Sequence, residues 1–468
     1  MHPSRFSTID STGYFTYNTL FGSDVTTCLL HLRLLGGAGI IKGTSANPFL
    51  SLKALDTAKF AQAVVQSAFL PVAPNVELVC YAPNCMELTL EAYRNIVKNV
   101  GSRADIAALC GVSRGFRYVA ERALYNTLFM QNDEETGILC QTLATTPRLA
   151  MLVDALTIYL AEKSEDDSED EDDDEDEEEE EPTDPREMDW SAVAGALKQT
   201  KYLRYLNVHI NDGSSSSVSW VLSDTTFQLR RFHCDFDWDS DLVTFLNRQT
   251  RLEDLYLNDF KDSEDPKNPA PSRSLQLAQG SVSSLSTLEC TFSEAAMAIV
   301  PGRPVTHLKT CFSHSETNAK RKEMDDLLAK TALSTEPLRS LDLADSSYDD
   351  RFSRELLIAL VKIRPLMTEL RHLGIFVLPV DGRERLRFYG LLRRLPKLQS
   401  VEFEVSSWRP SPSSPPALRA LAGELRLYNP SVIRMIFVHD FDRSVVTAVN
   451  GICRVDTETS AELLWREK

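Results

Sequence analysis

The chain has 468 residues, 43% of them hydrophobic and 25% charged, the balance of a globular protein with room for two or three domains. Its formal charge of −18 is local: of 68 acidic residues, 16 lie in 164–181, which holds no Lys or Arg, leaving 52 against 50 basic ones elsewhere. That near-neutral remainder has no basic footprint for nucleic acid, and the most apolar early stretch, 28–41, is broken by His31, Arg33 and three glycines, so no membrane partner is expected.

Residues 1–87 show one helical spacing, over 51–70, between a Gly- and Ser-rich segment and the apolar run 76–81. No fold follows from this, and the region is left unassigned, with partial disorder expected. The first residues lack a charged segment followed by an apolar one, so no secretory signal is expected. Nine cysteines, none in C-x-x-C spacing, predict buried thiols in a reducing compartment, nuclear or cytoplasmic.

Residues 88–124 predict three short helices. The first, over 88–100, sets Ala92, Ile96, Val97 and Val100 on one face and ends at Gly101. Ser102, three residues before Asp105, caps a second helix over 103–110. Ser113 caps a third, where Phe116, Val119, Ala120 and Ala123 recur at helical spacing.

From there to the C-terminus a different rhythm holds. Eleven apolar-x-x-apolar-x-apolar segments recur, centred on residues 127, 156, 206, 232, 255, 288, 308, 341, 373, 401 and 435. The spacing runs from 20 to 34 residues, except for one gap of 50 that contains the acidic run. Without that run the gap is 32, so 164–187 reads as a disordered insertion within one repeat. Amphipathic helices precede several segments, over 134–143, 190–200, 241–248, 354–363 and 383–394. One helix, a bend and one strand cannot bury an apolar face alone; stacked units can. The strand period of two sends the repeated apolar residues inward and sets Tyr205, Asn207, Asp254, Tyr256, Asp342 and Glu402 on one outward surface. Asn450-Gly451, between strand-like runs, predicts a hairpin that caps the array.

The stretch 88–120 resembles an F-box. The family opens with Leu-Pro-x-Glu, followed by apolar pairs, an Asp-Leu pair and Val-Ser-x-x-Phe/Trp. These positions hold Leu88, Thr89 and Glu91, then Ile96-Val97, Asp105-Ile106, and Val112-Ser113 with Phe116. The departures are Thr89 for Pro and Ala92 for a larger aliphatic residue. With the repeats behind it, the chain resembles the F-box/leucine-rich-repeat-like proteins common in mushroom-forming fungi. The resemblance implies an α/β protein: an F-box-like module at 88–124, then an irregular leucine-rich-repeat-like solenoid over 125–468. It further implies a non-catalytic receptor that docks on a Skp-type adaptor of a cullin–RING ubiquitin ligase and presents its repeats to a protein target. Leu88, Ile96, Val97, Ile106, Val112 and Phe116 would contact the adaptor, and the outward strand residues the target. No cofactor or metal is expected.

Two other readings remain open: a repeat scaffold whose helical module no longer docks, and a serine hydrolase. The latter rests on Gly111-Val112-Ser113-Arg114-Gly115, which has G-x-S-x-G spacing. That motif requires a strand before the serine, whereas the spacing predicts a helix. His307, Cys311 and His314 supply only half of a zinc site.

Overall fold

The computed structural model describes residues 88–160, 189–210, 218–258, 276–345, 349–363 and 367–467. The unassigned N-terminal region and the acidic insertion lie outside the described residues. The chain divides into two compact units, residues 1–123 and 124–468.

In the first unit, the three expected helices form: α1 (Leu90–Lys98), α2 (Arg103–Leu109) and α3 (Arg114–Tyr125). Each starts on a hydroxyl that accepts an otherwise orphaned backbone N–H. Thr89 Oγ1 accepts from Ala92 at 3.3 Å, Ser102 Oγ from Asp105 at 3.4 Å and Ser113 Oγ from Phe116 at 3.2 Å. A small core of Tyr93, Val97, Leu109, Val119 and Ala120 holds the helices together, and Phe116 meets Tyr93 edge-on at 4.7 Å. Gly115 permits this contact, since a Cβ there would lie 2.5 Å from the Tyr93 ring.

The second unit contains one 13-stranded sheet in which spatial order equals chain order. Strands β1 (Thr127–Met130), β2 (Ala155–Leu160), β3 (Tyr205–Ile210), β4 (Arg231–Cys234) and β5 (Asp254–Leu257) form the first part. Then come β6 (Thr287–Cys290), β7 (His307–Cys311), β8 (Ser340–Ala344), β9 (His372–Val377), β10 (Ser400–Glu404) and β11 (Arg434–His439). These eleven run parallel and coincide with the eleven predicted segments. A second ladder reinforces the first. The residue just before each strand donates its N–H to the matching carbonyl one repeat earlier, from Asp154 to Asn126 through to Ile433 to Gln399, at 2.7–3.0 Å. Bends that would otherwise bury unpaired backbone groups are satisfied in this way.

Between the strands run α4 (Asp133–Thr145), α5 (Pro147–Ala150), α6 (Trp190–Gln199), α7 (Ser240–Arg248), α8 (Ser293–Ile299), α9 (Thr317–Thr331), α10 (Asp350–Lys362), α11 (Gly382–Leu392) and α12 (Pro415–Tyr428). Their apolar faces and the inward strand residues form one continuous core, including Leu156, Leu206, Phe232, Leu255, Leu288, Leu308, Leu341 and Phe403. The repeat pattern does not reveal α9, because Lys320 and Glu323 are buried on its inner face and blur its polarity. It also misses α12, whose Pro415-Pro416 reads as a breaker but occupies the first turn, where no amide donor is needed. At β1 the expected register is off by one residue: Leu128 and Met130 point inward, while Thr127 and Phe129 are exposed.

The hairpin of β12 (Asp442–Val449) and β13 (Ile452–Asp456) turns on Asn450 and Gly451, both at positive φ, and extends the sheet antiparallel beyond β11. A second tight turn, Asp440-Phe441, joins β11 to β12, with Phe441 at φ 70° and 87% exposed. Among the described residues no helix is long and apolar enough to cross a membrane.

The left-handed backbone at Phe441 strains a side chain that packs on nothing. Phe441→Gly is expected to stabilise the protein by about 1 kcal/mol, read as a higher midpoint in urea at unchanged slope.

Candidate functional site

The helices cover one face of the sheet, and the other face carries the chemistry. Because the parallel strands are in register, its side chains stand in rows across the repeats. One row consists of Asn207, His233, Tyr256, Glu289, Lys309, Asp342 and Gly374, each the register partner of the next. The neighbouring row consists of Tyr205, Arg231, Asp254, Thr287, His307, Ser340, His372 and Ser400. Three zones follow along this face.

Over β2 to β5 the face is aromatic. Tyr159 meets His209 at 6.2 Å, His209 meets Tyr256 at 6.2 Å, and Tyr256 meets His233 at 5.7 Å. Burial, then His233, pushes the His209 pKa down, and burial pushes that of Tyr256 up to about 12, so both rings are uncharged at neutral pH. Tyr205, Asn207 and Tyr256, three of the six expected target contacts, lie half-buried here. The outward residues looked mixed along the chain; register alone gathers the rings.

Over β5 to β7 the face is charged and closed by the chain's own C-terminus. Beyond β13 the chain returns to a single 3₁₀ turn at Leu464–Arg466. Arg466 reaches both oxygens of Asp254 at 2.8 and 2.7 Å and Glu289 at 2.6 Å. Lys309 bonds Glu289 at 3.0 Å and lies over the ring of Trp465, which is 3% exposed. Leu464 packs with Ile436, Val438 and Val445. Burial raises the Asp254 and Glu289 pKa values, but His233 and then Arg466 at Asp254, and Lys309 and Arg466 at Glu289, outweigh it and hold both carboxyls below their ordinary range.

Over β8 to β10 the face is buried. Asp342 is 2% exposed, and His372 and Glu402 are each 4% exposed. One ligand-type atom from each of the three lies within 4.8 Å of the others. His372 Nδ1 meets Ser400 Oγ at 3.1 Å, while His372 Nε2 and Asp342 Oδ1 have no hydrogen-bond partner. Arg443 donates to Glu402 Oε1 at 2.9 Å. Burial, then the Glu402 charge, pushes the Asp342 pKa up to about 7 against the pull of Lys309 and Arg443. Burial pushes that of His372 down to about 3. Among the described residues, these three are the side chains fit to hold a metal ion. Asp342 pairs with Gly374, whereas His372 pairs with Ser340 and Ser400, so the three donors come from neighbouring rows and no single recurring strand position shows them.

This geometry corrects three expected target contacts. Asp342 and Glu402 are buried, and Asp254 is held by Arg466 and by Arg231 at 3.2 Å. Period-two alternation tells which side of a sheet a residue faces, not whether something distant covers that side. Among the expected adaptor contacts, Val97 is corrected as well, since it belongs to the core of the three-helix unit. Leu88, Ile96, Ile106 and Phe116 are half-buried. Val112 is 42% exposed, and Leu90 and Tyr118, not anticipated, are exposed too. Ser113 caps α3 and follows a turn after α2, so the strand that a nucleophile elbow requires is not there. The thiols of Cys140, Cys234 and Cys290 are buried, and desolvation pushes each pKa upward, to about 12 for Cys140 and Cys290.

No family model matches this chain, and no curated protein matches it either.

The Arg466 clamp makes a pH-dependent prediction. Carboxyls held down in the folded state bind fewer protons than in the unfolded chain across the acid range. Their stabilisation is therefore full above their ordinary pKa values and is lost as pH falls through the folded ones. Arg466→Ala is expected to cost about 1–3 kcal/mol at pH 7, and the gap from the parent chain should narrow as the pH falls through the depressed folded pKa values of Asp254 and Glu289. Urea titrations across pH 2–7 would measure it.

Proposed function

We propose that this protein is the substrate-recruiting subunit of an SCF-type cullin–RING ubiquitin ligase. The three-helix unit acts as the F-box, docking on a Skp-type adaptor, and the helix–strand array acts as a leucine-rich-repeat-like solenoid that binds the protein to be modified. One observation carries the reading: a separate three-helix unit with F-box spacing precedes a sheet whose strand order equals its chain order. A stacked array of this kind presents a long continuous surface for a partner.

On the adaptor side, the capped helices commit Tyr93, Val97, Leu109, Val119 and Ala120 to the unit's own core. Val112, Leu90 and Tyr118 remain as exposed apolar side chains. A unit this small gains from covering such residues against a partner. On the target side, the reachable part of the open face is the zone of Tyr159, Tyr205, Asn207, His209, His233 and Tyr256 on β2 to β5. Aromatic rings with polar tips suit a protein partner, because they bury apolar area and still bond at the edge.

The test is co-purification of the full chain with a Skp-type adaptor. The parent chain is expected to retain the adaptor through gel filtration, and Val112→Asp, which alters an exposed position, is expected to lose it with an unchanged melting temperature. Folded parent protein that does not retain any Skp-type adaptor refutes the proposal.

A further inference from the structure

We propose that Asp342, His372 and Glu402 form a binding site for one divalent transition-metal ion of the Zn²⁺ class. The site is independent of the ligase reading. It sits on β8, β9 and β10, three adjacent strands, so the backbone ladder fixes the spacing of the donors.

Four observations converge. First, one donor atom from each residue already lies within 4.8 Å of the other two. Donors around a tetrahedral zinc stand roughly 3.3 Å apart. Closing the cluster therefore takes an inward shift of at most about 1.5 Å, within the reach of side-chain torsions. Second, His372 Nε2 and Asp342 Oδ1 are buried with no hydrogen-bond partner. Natural interiors rarely leave such atoms unsatisfied, and a cation satisfies both at once. Third, the other ring nitrogen of His372 is held by Ser400 Oγ at 3.1 Å. With Nδ1–H donating to that hydroxyl, the Nε2 lone pair points into the cluster, the usual outer-shell arrangement of a metal-bound imidazole. Fourth, Gly374 stands between the carboxylates. A Cβ there would lie 2.9 Å from Glu402 Cβ, 3.4 Å from His372 Nε2 and 3.5 Å from Asp342 Oδ1. Any larger residue would fill the space that the ion takes.

The surrounding charges select the ion. Lys309 is already bonded to Glu289, and Arg443 to one oxygen of Glu402, leaving the second oxygen for a metal. These cations oppose ions held by charge alone. One imidazole and two carboxylates suit Zn²⁺, whereas Ca²⁺ and Mg²⁺ seek six or more oxygens. The C-terminal 3₁₀ turn lies beside β8 and β9, and all three donor residues are buried.

The experiment uses the full chain, stripped with EDTA and titrated with Zn²⁺ by calorimetry in excess Mg²⁺ to occupy the acidic run. One Zn²⁺ per chain is expected. Affinity should fall at least tenfold in Asp342→Asn and in His372→Gln, with folding checked by circular dichroism. No stoichiometric binding, or unchanged binding in the folded variants, overturns the site. If the variants do not fold, X-ray absorption of the zinc-loaded parent chain decides. A nitrogen/oxygen shell with one imidazole supports the proposal, and sulfur scattering overturns it.

Discussion

Everything on this molecule's chemical face follows from how a helix–strand unit buries its apolar residues. One short strand with one helix leaves most of its leucines in contact with water. Placing the next strand parallel and directly beside the first forces the connection to cross the same face every time. Ten such crossings put the helices on one side and leave the opposite side of the sheet to side chains alone. The bend ladder from Asn126 to Ile433 keeps this arrangement in register, with one irregularity between β9 and β10, and register turns scattered outward residues into rows.

The rows have no uniform character. Rings collect over β2 to β5, ion pairs over β5 to β7, and a buried carboxylate–imidazole group over β8 to β10. The last two zones owe their character to the C-terminal segment as much as to the strands. Trp465 and Arg466 bring a cation and an indole across the face, against residues some two hundred positions earlier. This tail does locally what the helices do on the far side: it removes a polar surface from water and makes its electrostatics strong. Lys309 between Glu289 and the Trp465 ring, and Arg443 on Glu402, act as counter-charges that make such burial tolerable. Asp342 lies at the end of that chain of pairings with an oxygen left over.

In the three-helix unit, capping signals were legible because they are local. A hydroxyl three residues before the amide that it caps is visible in any sequence, and Ser102 and Ser113 cap as their spacing indicates; an expected helix start at 88 conceals the cap at Thr89. Which apolar residues turn inward was less legible. Val97 and Ile96 are adjacent and chemically alike, yet Val97 is core and Ile96 is not, because α2 and α3 approach one side of α1. Four helices of the array escaped notice, the short α5 and α8 and the longer α9 and α12. The buried charges of α9 find partners only in the folded protein, and the prolines of α12 punctuate a helix at its start.

The sequence by itself determined the repeat: eleven strand positions, the insertion between the second and third, and the inward set of leucines at all but the first strand. These depend on a period of two and a period of about thirty residues, both properties of the chain's covalent order. Only the tertiary structure decided the functional face. It drew Tyr159, His209, His233 and Tyr256 together, buried Asp342, His372 and Glu402, and carried Arg466 to Asp254. Contacts between residues some twenty to two hundred positions apart arise from the closing of the fold, and no local pattern encodes them.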